Sequence, residues 1–227
     1  SGVYVFDLKN NNYFNFTENL DSTFVFPDAP CRRVVFTTEN TWLGFDGGGL
    51  CRLKKKNTEF SPSSYQIKQY LPKSNFINSI SSSSVLSICE DKYKNLWLGT
   101  LGGGFNKFNP KLEKFDFYTE SDGLSNNTTY DLVIDNNDQI WISTNFGISK
   151  FNIKTNQFRN FSEGNGLQSN EFNNNAFYQS SSGRIYFGGI NGFNYFNPKD
   201  IKINRIPPKP LINEIKWLNE YKFENYL

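Results

Sequence analysis

The sequence predicts an all-β protein built from four-stranded blades, a partial β-propeller. Three observations carry that expectation: a sentence of aromatics and glycines that recurs every 44–45 residues, short strand-like runs bounded by turn residues, and the lack of any sustained helical period. The chain has 227 residues with 24 basic and 22 acidic side chains, 23 Phe, 12 Tyr, 4 Trp and no His. Aromatics separated by Asn, Ser and Gly are the mix of short strands and tight turns.

The repeat is anchored by Trp42, Trp97, Trp141 and Tyr186, at intervals of 55, 44 and 45 residues. Ten or eleven residues after each anchor stands Leu53, Phe108, Phe151 or Phe196. At +7 and +10 from the last three come Phe115 and Tyr118, Phe158 and Phe161, and Ile203 and Ile206. "GVYVFD" aligns with "GISKFN", so Phe6 matches Phe151, with Tyr13 and Phe16 as its partners. The chain is therefore expected to begin halfway through a repeat. The long first interval has a local cause, an insertion "NTEFSPSS" at 57–64 in a hairpin loop.

Within one repeat, "VLSICED", "NLWLGT", "GFNKFNP" and "KFDFYT" read as strands a, b, c and d, joined by turns rich in Gly, Asn, Asp and Pro. Four antiparallel strands at this period make a propeller blade. A lone blade cannot bury both faces, so the packing problem repeats and the sequence repeats with it. The anchor aromatics are then blade-to-blade core. Gly49, Gly104, Gly147 and Gly192 precede each strand c, where a turn with positive φ demands glycine. The expected organisation is a half blade at 1–26, blades at about 31–72, 84–120, 128–163 and 173–206, and a Pro-rich exit at 207–227 that opens a β-sandwich domain.

The residues also carry a family resemblance. "IWISTNFGISKFN" and "LWLGTLGGGFNKFNP" resemble the two-component regulator propeller repeat, and "DGLSNN" and "NGLQSNEFN" resemble that family's inter-blade loops. "GRIYFGGINGFNYFNPKDI" is similar to the family's final blade, and "PPKPLINEIKWLN" to the start of the immunoglobulin-like domain after it. The resemblance implies a parent sensor histidine kinase, often a hybrid, of Bacteroidetes. Its propeller would be periplasmic and its membrane attachment would belong to the parent alone. Many members respond to polysaccharide fragments. The family's rings have seven blades against about four and a half here. The expected partners are an oligosaccharide and either further blades of the parent or a second copy, with no nucleic acid and no cofactor.

The composition narrows the chemistry. Without histidine there is no Ser-His-Asp or Cys-His system and no His-ligated metal. No Cys-x-x-Cys pair offers a zinc site, and a Cys31–Cys51 bridge stays open. No P-loop, dinucleotide fingerprint or complete calcium loop is present. Paired carboxylates remain for an enzyme, drawn from Asp46, Asp122, Asp131, Asp135 and Glu171, of which Asp122 and Asp135 sit where Asp caps turns.

Strand parity sends the b–c and d–a connections to one rim and the a–b and c–d turns to the other. The non-repeated residues of the first rim, Phe45, Asp46, Asn145, Phe146, Glu171 and Asn191, are the candidate ligand-binding set, with Asn127 and Asn170 read as turn caps. Aromatics beside Asn and acids suit the apolar faces and hydroxyls of sugars. The functional expectation is a ligand-sensing, non-catalytic module. The alternatives are a structural or protein-interaction propeller and, behind it, a carboxylate-dependent polysaccharide enzyme.

Overall fold

The computed structural model describes residues 3–16, 26–74 and 78–201. All sheets are antiparallel and each follows chain order. A two-stranded sheet, β1 (Tyr4–Asp7) and β2 (Asn12–Asn15), comes first. A four-stranded sheet follows: β3 (Cys31–Phe36), β4 (Thr41–Phe45), β5 (Gly49–Lys55) and β6 (Tyr65–Tyr70). The next holds β7 (Val85–Glu90), β8 (Leu96–Thr100), β9 (Phe105–Asn109) and β10 (Lys114–Tyr118). The fourth holds β11 (Thr129–Ile134), β12 (Gln139–Thr144), β13 (Gly147–Asn152) and β14 (Gln157–Phe161). The last has β15 (Phe172–Gln179), β16 (Ile185–Gly189) and β17 (Gly192–Phe196). These meanders stack into a partial β-propeller, with neighbouring a strands β3, β7, β11 and β15 in contact. The expected fourth strand of the last blade around Ile203–Ile206, and the exit at 207–227, lie outside the described residues.

The two repeating aromatic positions meet across each blade boundary. Trp42 touches Phe108 edge-on with ring centroids 5.6 Å apart, Trp97 touches Phe151 at 5.5 Å, and Trp141 touches Phe196 at 4.6 Å. All three Trp are buried. Around Trp42 close Leu96, Leu98 and Ile88 of the next blade; around Trp97 close Ile140, Ile142 and Leu132; around Trp141 close Ile185, Phe187 and Phe172. The other face of the second sheet packs Leu43, Phe45, Cys51 and Leu53 onto Phe14 and Phe16 of the half blade.

Tyr186 departs from the expectation of a core residue. It holds the anchor position of the last described blade, where no further blade covers it among the described residues. It stacks on Tyr195 at 5.8 Å, beside exposed Tyr178 and Phe193. On the outer face of the half blade, Tyr4, Phe6 and Tyr13 are likewise exposed and touch one another.

Polar clamps repeat with the hydrophobic ones. Asp91 Oδ2 accepts the Trp97 indole N–H at 2.9 Å, and Asp135 Oδ2 accepts that of Trp141 at 2.9 Å. The other oxygen of each accepts two backbone N–H groups of the a–b turn. On the outer strands the Tyr70 hydroxyl donates to Glu113 at 3.0 Å and that of Tyr118 to Asn156 at 3.3 Å. Each time the acceptor is a left-handed residue in the c–d turn of the following blade. Arg52 and Lys68 also pair with Glu113, which holds its carboxyl below the usual range through Lys68 first. The residues 56–64 join β5 to β6 where 110–113 and 153–156 serve in later blades, and Phe60 of that longer loop packs on Phe14.

Cys31 and Cys51 are both free. They stand on β3 and β5 with β4 between, so their backbones are about 9–10 Å apart across the sheet, beyond the roughly 7 Å a disulfide spans.

The glycines before strand c all have positive φ, 71° at Gly49, 77° at Gly104, 88° at Gly147 and 115° at Gly192. At Gly104 a Cβ would also stand 2.2 Å from the Tyr118 carbonyl oxygen. The substitution Gly104→Ala therefore carries both strain and a backbone clash. It is expected to cost about 2–4 kcal/mol, read as a lowered midpoint in urea unfolding.

Candidate functional site

The b–c turns and d–a loops share one rim, as their backbone bonds show. The Gly49 N–H donates to the Ser83 carbonyl, Gly104 to Asn127, Gly147 to Asn170 and Ile190 to Glu171. The first three bonds tie a b–c turn to the loop that leads into the next blade, and the last ties one to the loop that leads into its own blade. Those loops are themselves stiff. Thr119 and Asp122 form a capping box, as do Ser162 and Asn165, and the Asn127 and Asn170 side chains accept the Glu120 and Glu163 N–H groups. Both Asn residues thus act as turn caps.

The structure divides the sequence-derived set. Phe45 is a correction: it is 1% exposed, in contact with Phe26 and packed with Leu43 in the junction to the half blade. It lies two residues from Leu43 on β4 and so shares that residue's inward face. Asp46 is on the rim but engaged. Arg32 donates to its Oδ2 at 2.7 Å, and Ser84 bonds it as well, so its carboxyl is held below the usual range by Arg32 first.

The remaining four gather over the fourth and fifth sheets. The Tyr130 hydroxyl donates to Asn145 Oδ1 at 3.1 Å. Phe146, next to it, is 55% exposed at the tip of its turn. Glu171 is exposed near enough to Tyr130 to raise the phenol pKa, an effect second to burial. Asn191 is exposed, and its backbone N–H donates to Gln168 Oε1 at 2.7 Å. The cluster offers an apolar ring, a carboxylate, amides and a phenol within one stretch of rim. Leu101 and Ile190, at the equivalent tips of the neighbouring blades, are also about half exposed. Sequence reasoning does not reach Tyr130, which lies within strand a, or Gln168, which lies in the same d–a loop as Glu171 but is not singled out there.

The other carboxylates singled out for catalysis are occupied in different ways. Asp122 closes its capping box and Asp135 holds Trp141. Asp131 is fully buried at the inner strands. Its Oδ2 accepts the Ala176 N–H at 3.2 Å, and its Oδ1 stands 3.7 Å from Arg33 Nη2 without a hydrogen bond. The same Arg33 guanidinium lies 4.5 Å from the Phe177 ring. One side chain of the second sheet thereby links β11 and β15. Burial pushes the Asp131 carboxyl up to about 6, against the pull of Arg33. Among the described residues no group of three or more acidic or Cys side chains is placed to hold a metal ion. No helix among them is long and apolar enough to cross a membrane.

Consecutive antiparallel meanders stacked face to face around inner strands define a β-propeller repeat protein. The two-component regulator propeller profile matches residues 79–102 and 123–146, each running from a d–a loop through strands a and b to the b–c tip. "Histidine kinase P4" of Formosa agariphila is 26% identical over 223 residues, 97% of this chain. The chain spans only 16% of that relative's length. The extracellular domain of a B. thetaiotaomicron protein described as a hybrid two component system superposes with a TM-score of 0.61 at 20% identity, over 75% of this chain and 23% of that one. A catalytically inactive virginiamycin B lyase of Staphylococcus aureus superposes with a TM-score of 0.58 at 13% identity, over 85% of this chain and 61% of that one. A two component system domain and a lyase thus share the architecture, and the fold alone does not choose a function.

The Asp131 carboxyl gives a pH signature. Its folded pKa lies above the ordinary value of 3.8, so the unfolded chain releases the proton first as pH rises. The stability associated with the neutral form is present at low pH and is lost as pH climbs to about 6. Asp131→Asn removes this loss. The melting temperature of the parent protein minus that of the variant is expected to fall between about pH 4 and pH 7, measured by calorimetry at both ends.

Proposed function

We propose that this chain is the ligand-sensing, extracytoplasmic module of a two-component sensor histidine kinase, and that it binds an oligosaccharide without catalysing a reaction. The observation that carries the reading is the pairing of two-component regulator propeller repeats with an exposed, non-repeated rim cluster. The histidine kinase relative and the extracellular neighbour support the sensor class and a periplasmic setting. In this reading Phe146 stacks on the apolar face of a sugar while Asn145, Glu171 and Asn191 meet its hydroxyls. Four of the five carboxylates considered for catalysis already hold a turn, a Trp or an Arg, which supports binding over hydrolysis. A bound ligand shifts the packing of the blades or of two chains through its differential affinity for the two arrangements.

A ligand specific to the folded state raises the melting temperature. A panel of oligosaccharides is expected to contain one that does so, and Phe146→Ala is expected to weaken it about tenfold, or about 1.4 kcal/mol. A panel without any shift overturns the sugar reading, and product formation overturns the non-catalytic one.

A protein-interaction reading is favoured by a separate observation, the two aromatic blade faces. Tyr178, Phe193 and Tyr195 are each about three-fifths exposed on one, and Tyr4, Phe6 and Tyr13 about half or more on the other. Equivalent faces inside the molecule are covered by a blade. Contiguous apolar surface of this kind drives association. The 227-residue chain is expected to self-associate at micromolar concentration, measured by sedimentation velocity. A compact monomer counts against it.

A further inference from the structure

The a–b turns place one residue alike. Residues Thr37, Asp91, Asp135 and Ser180 each donate their backbone N–H across the turn, at 2.9 Å in all four, to a carbonyl at the entry to strand b, that of Asn40, Asn95, Gln139 and Arg184, the first turn being one residue shorter than the others. They therefore occupy one structural position. In the two blades with Asp there, the carboxylate accepts the N–H of the Trp six residues on. In the last blade a Ser stands opposite Tyr186, which has no N–H to satisfy. The second sheet alone mismatches: it keeps Trp42 but has Thr37. The Thr37 hydroxyl serves its own turn, accepting the Asn40 N–H at 3.2 Å and donating to the Asn40 carbonyl at 2.9 Å. Among the described residues the Trp42 indole N–H has no such carboxylate.

Trp42 lines a cleft of about 140 Å³ between the second and third sheets, on the rim opposite Phe146, together with Thr37, Glu39, Asn40, Lys94 and Lys111. Lys94 is paired with Glu90 at 3.3 Å, whereas Lys111 has no ion pair among the described residues. An indole N–H can only donate, so without its carboxylate it needs an acceptor from elsewhere.

We infer that this cleft is a binding site for a small carboxylic acid, whose carboxylate takes the place that Asp91 and Asp135 fill in the neighbouring blades. The carboxylate accepts the Trp42 N–H within reach of Lys111. The volume suits a small molecule or the acidic end of a larger one. This site is independent of the rim reading above.

The test is a nitrogen–proton correlation spectrum of the whole chain, in which each of the 4 Trp gives one indole signal. Sodium glucuronate is the probe and glucose the uncharged control. Glucuronate at tens of millimolar is expected to shift the Trp42 indole signal and leave those of Trp97 and Trp141 in place, while glucose shifts none. Thr37→Asp supplies the carboxylate from the chain and is expected to abolish the response. Lys111→Ala, at an exposed position, is expected to weaken it several-fold and serves if the first variant does not fold. Phe146→Ala leaves it intact, so failure at the rim and failure here are told apart. A Trp42 signal unmoved by glucuronate, moved equally by glucose, or still responsive in Thr37→Asp overturns the assignment.

Discussion

Everything in this molecule depends on the burial of one indole per blade under the strands of the next. A four-stranded sheet has two faces and no means of covering both. Trp42, Trp97 and Trp141 resolve this by reaching from strand b into the strand-c Phe of their neighbour. Each buried aromatic contributes about 2–3 kcal/mol from area alone, and the edge-on ring contacts add to that. Lys107 and Lys150 lie 5.5 and 5.3 Å over the rings of Trp97 and Trp141, which lets a charged strand-c residue share the interface without being stranded there. Because the indole carries one polar hydrogen, its burial also creates a demand for an acceptor, and Asp91 and Asp135 meet it.

That demand orders the rest of the blade. The Asp that holds the Trp is the same residue that closes the a–b turn, so packing and turn geometry are fixed by one side chain. On the outer strands a tyrosine hydroxyl reaches the left-handed residue of the next c–d turn, Tyr70 to Glu113 and Tyr118 to Asn156. The Asp clamps fix each blade internally, and the Tyr contacts pin blades to one another at the outer strands. The b–c tips carry less of this duty, and there the sequence varies from blade to blade: Asp46, Leu101, Asn145 and Ile190 hold equivalent places.

Much of this was legible before any coordinates. The period exposed the blades, and the Trp positions exposed their interfaces, because a packing role repeats when its geometry repeats. The strand-c glycines announced their positive φ for the same reason. The spacing of six from Asp91 to Trp97 and from Asp135 to Trp141 was also on the page. It reads as a clamp only once the turn is known to fold the carboxylate back over the indole. Phe45 stands beside a turn, which points to the rim, yet the alternation from Leu43 marks it as inward and the structure buries it. Tyr130 joins the candidate site from within strand a, and no local pattern flags it. The contact of Arg33 with Asp131 and Phe177 depends on how sharply the stack of sheets curves. Curvature is a sum of small rotations between blades, and no single residue writes it.

Each sheet is made of one unbroken stretch of chain, and each meets chiefly its neighbours in sequence. A covalent break in an inter-blade loop such as 162–171 would therefore sever no sheet. The two pieces would keep whole meanders and meet through one aromatic face, so cleavage there separates connectivity from architecture. Such a chain lends itself to splitting into halves that reassemble, with the Trp141 and Phe196 contact as the seam.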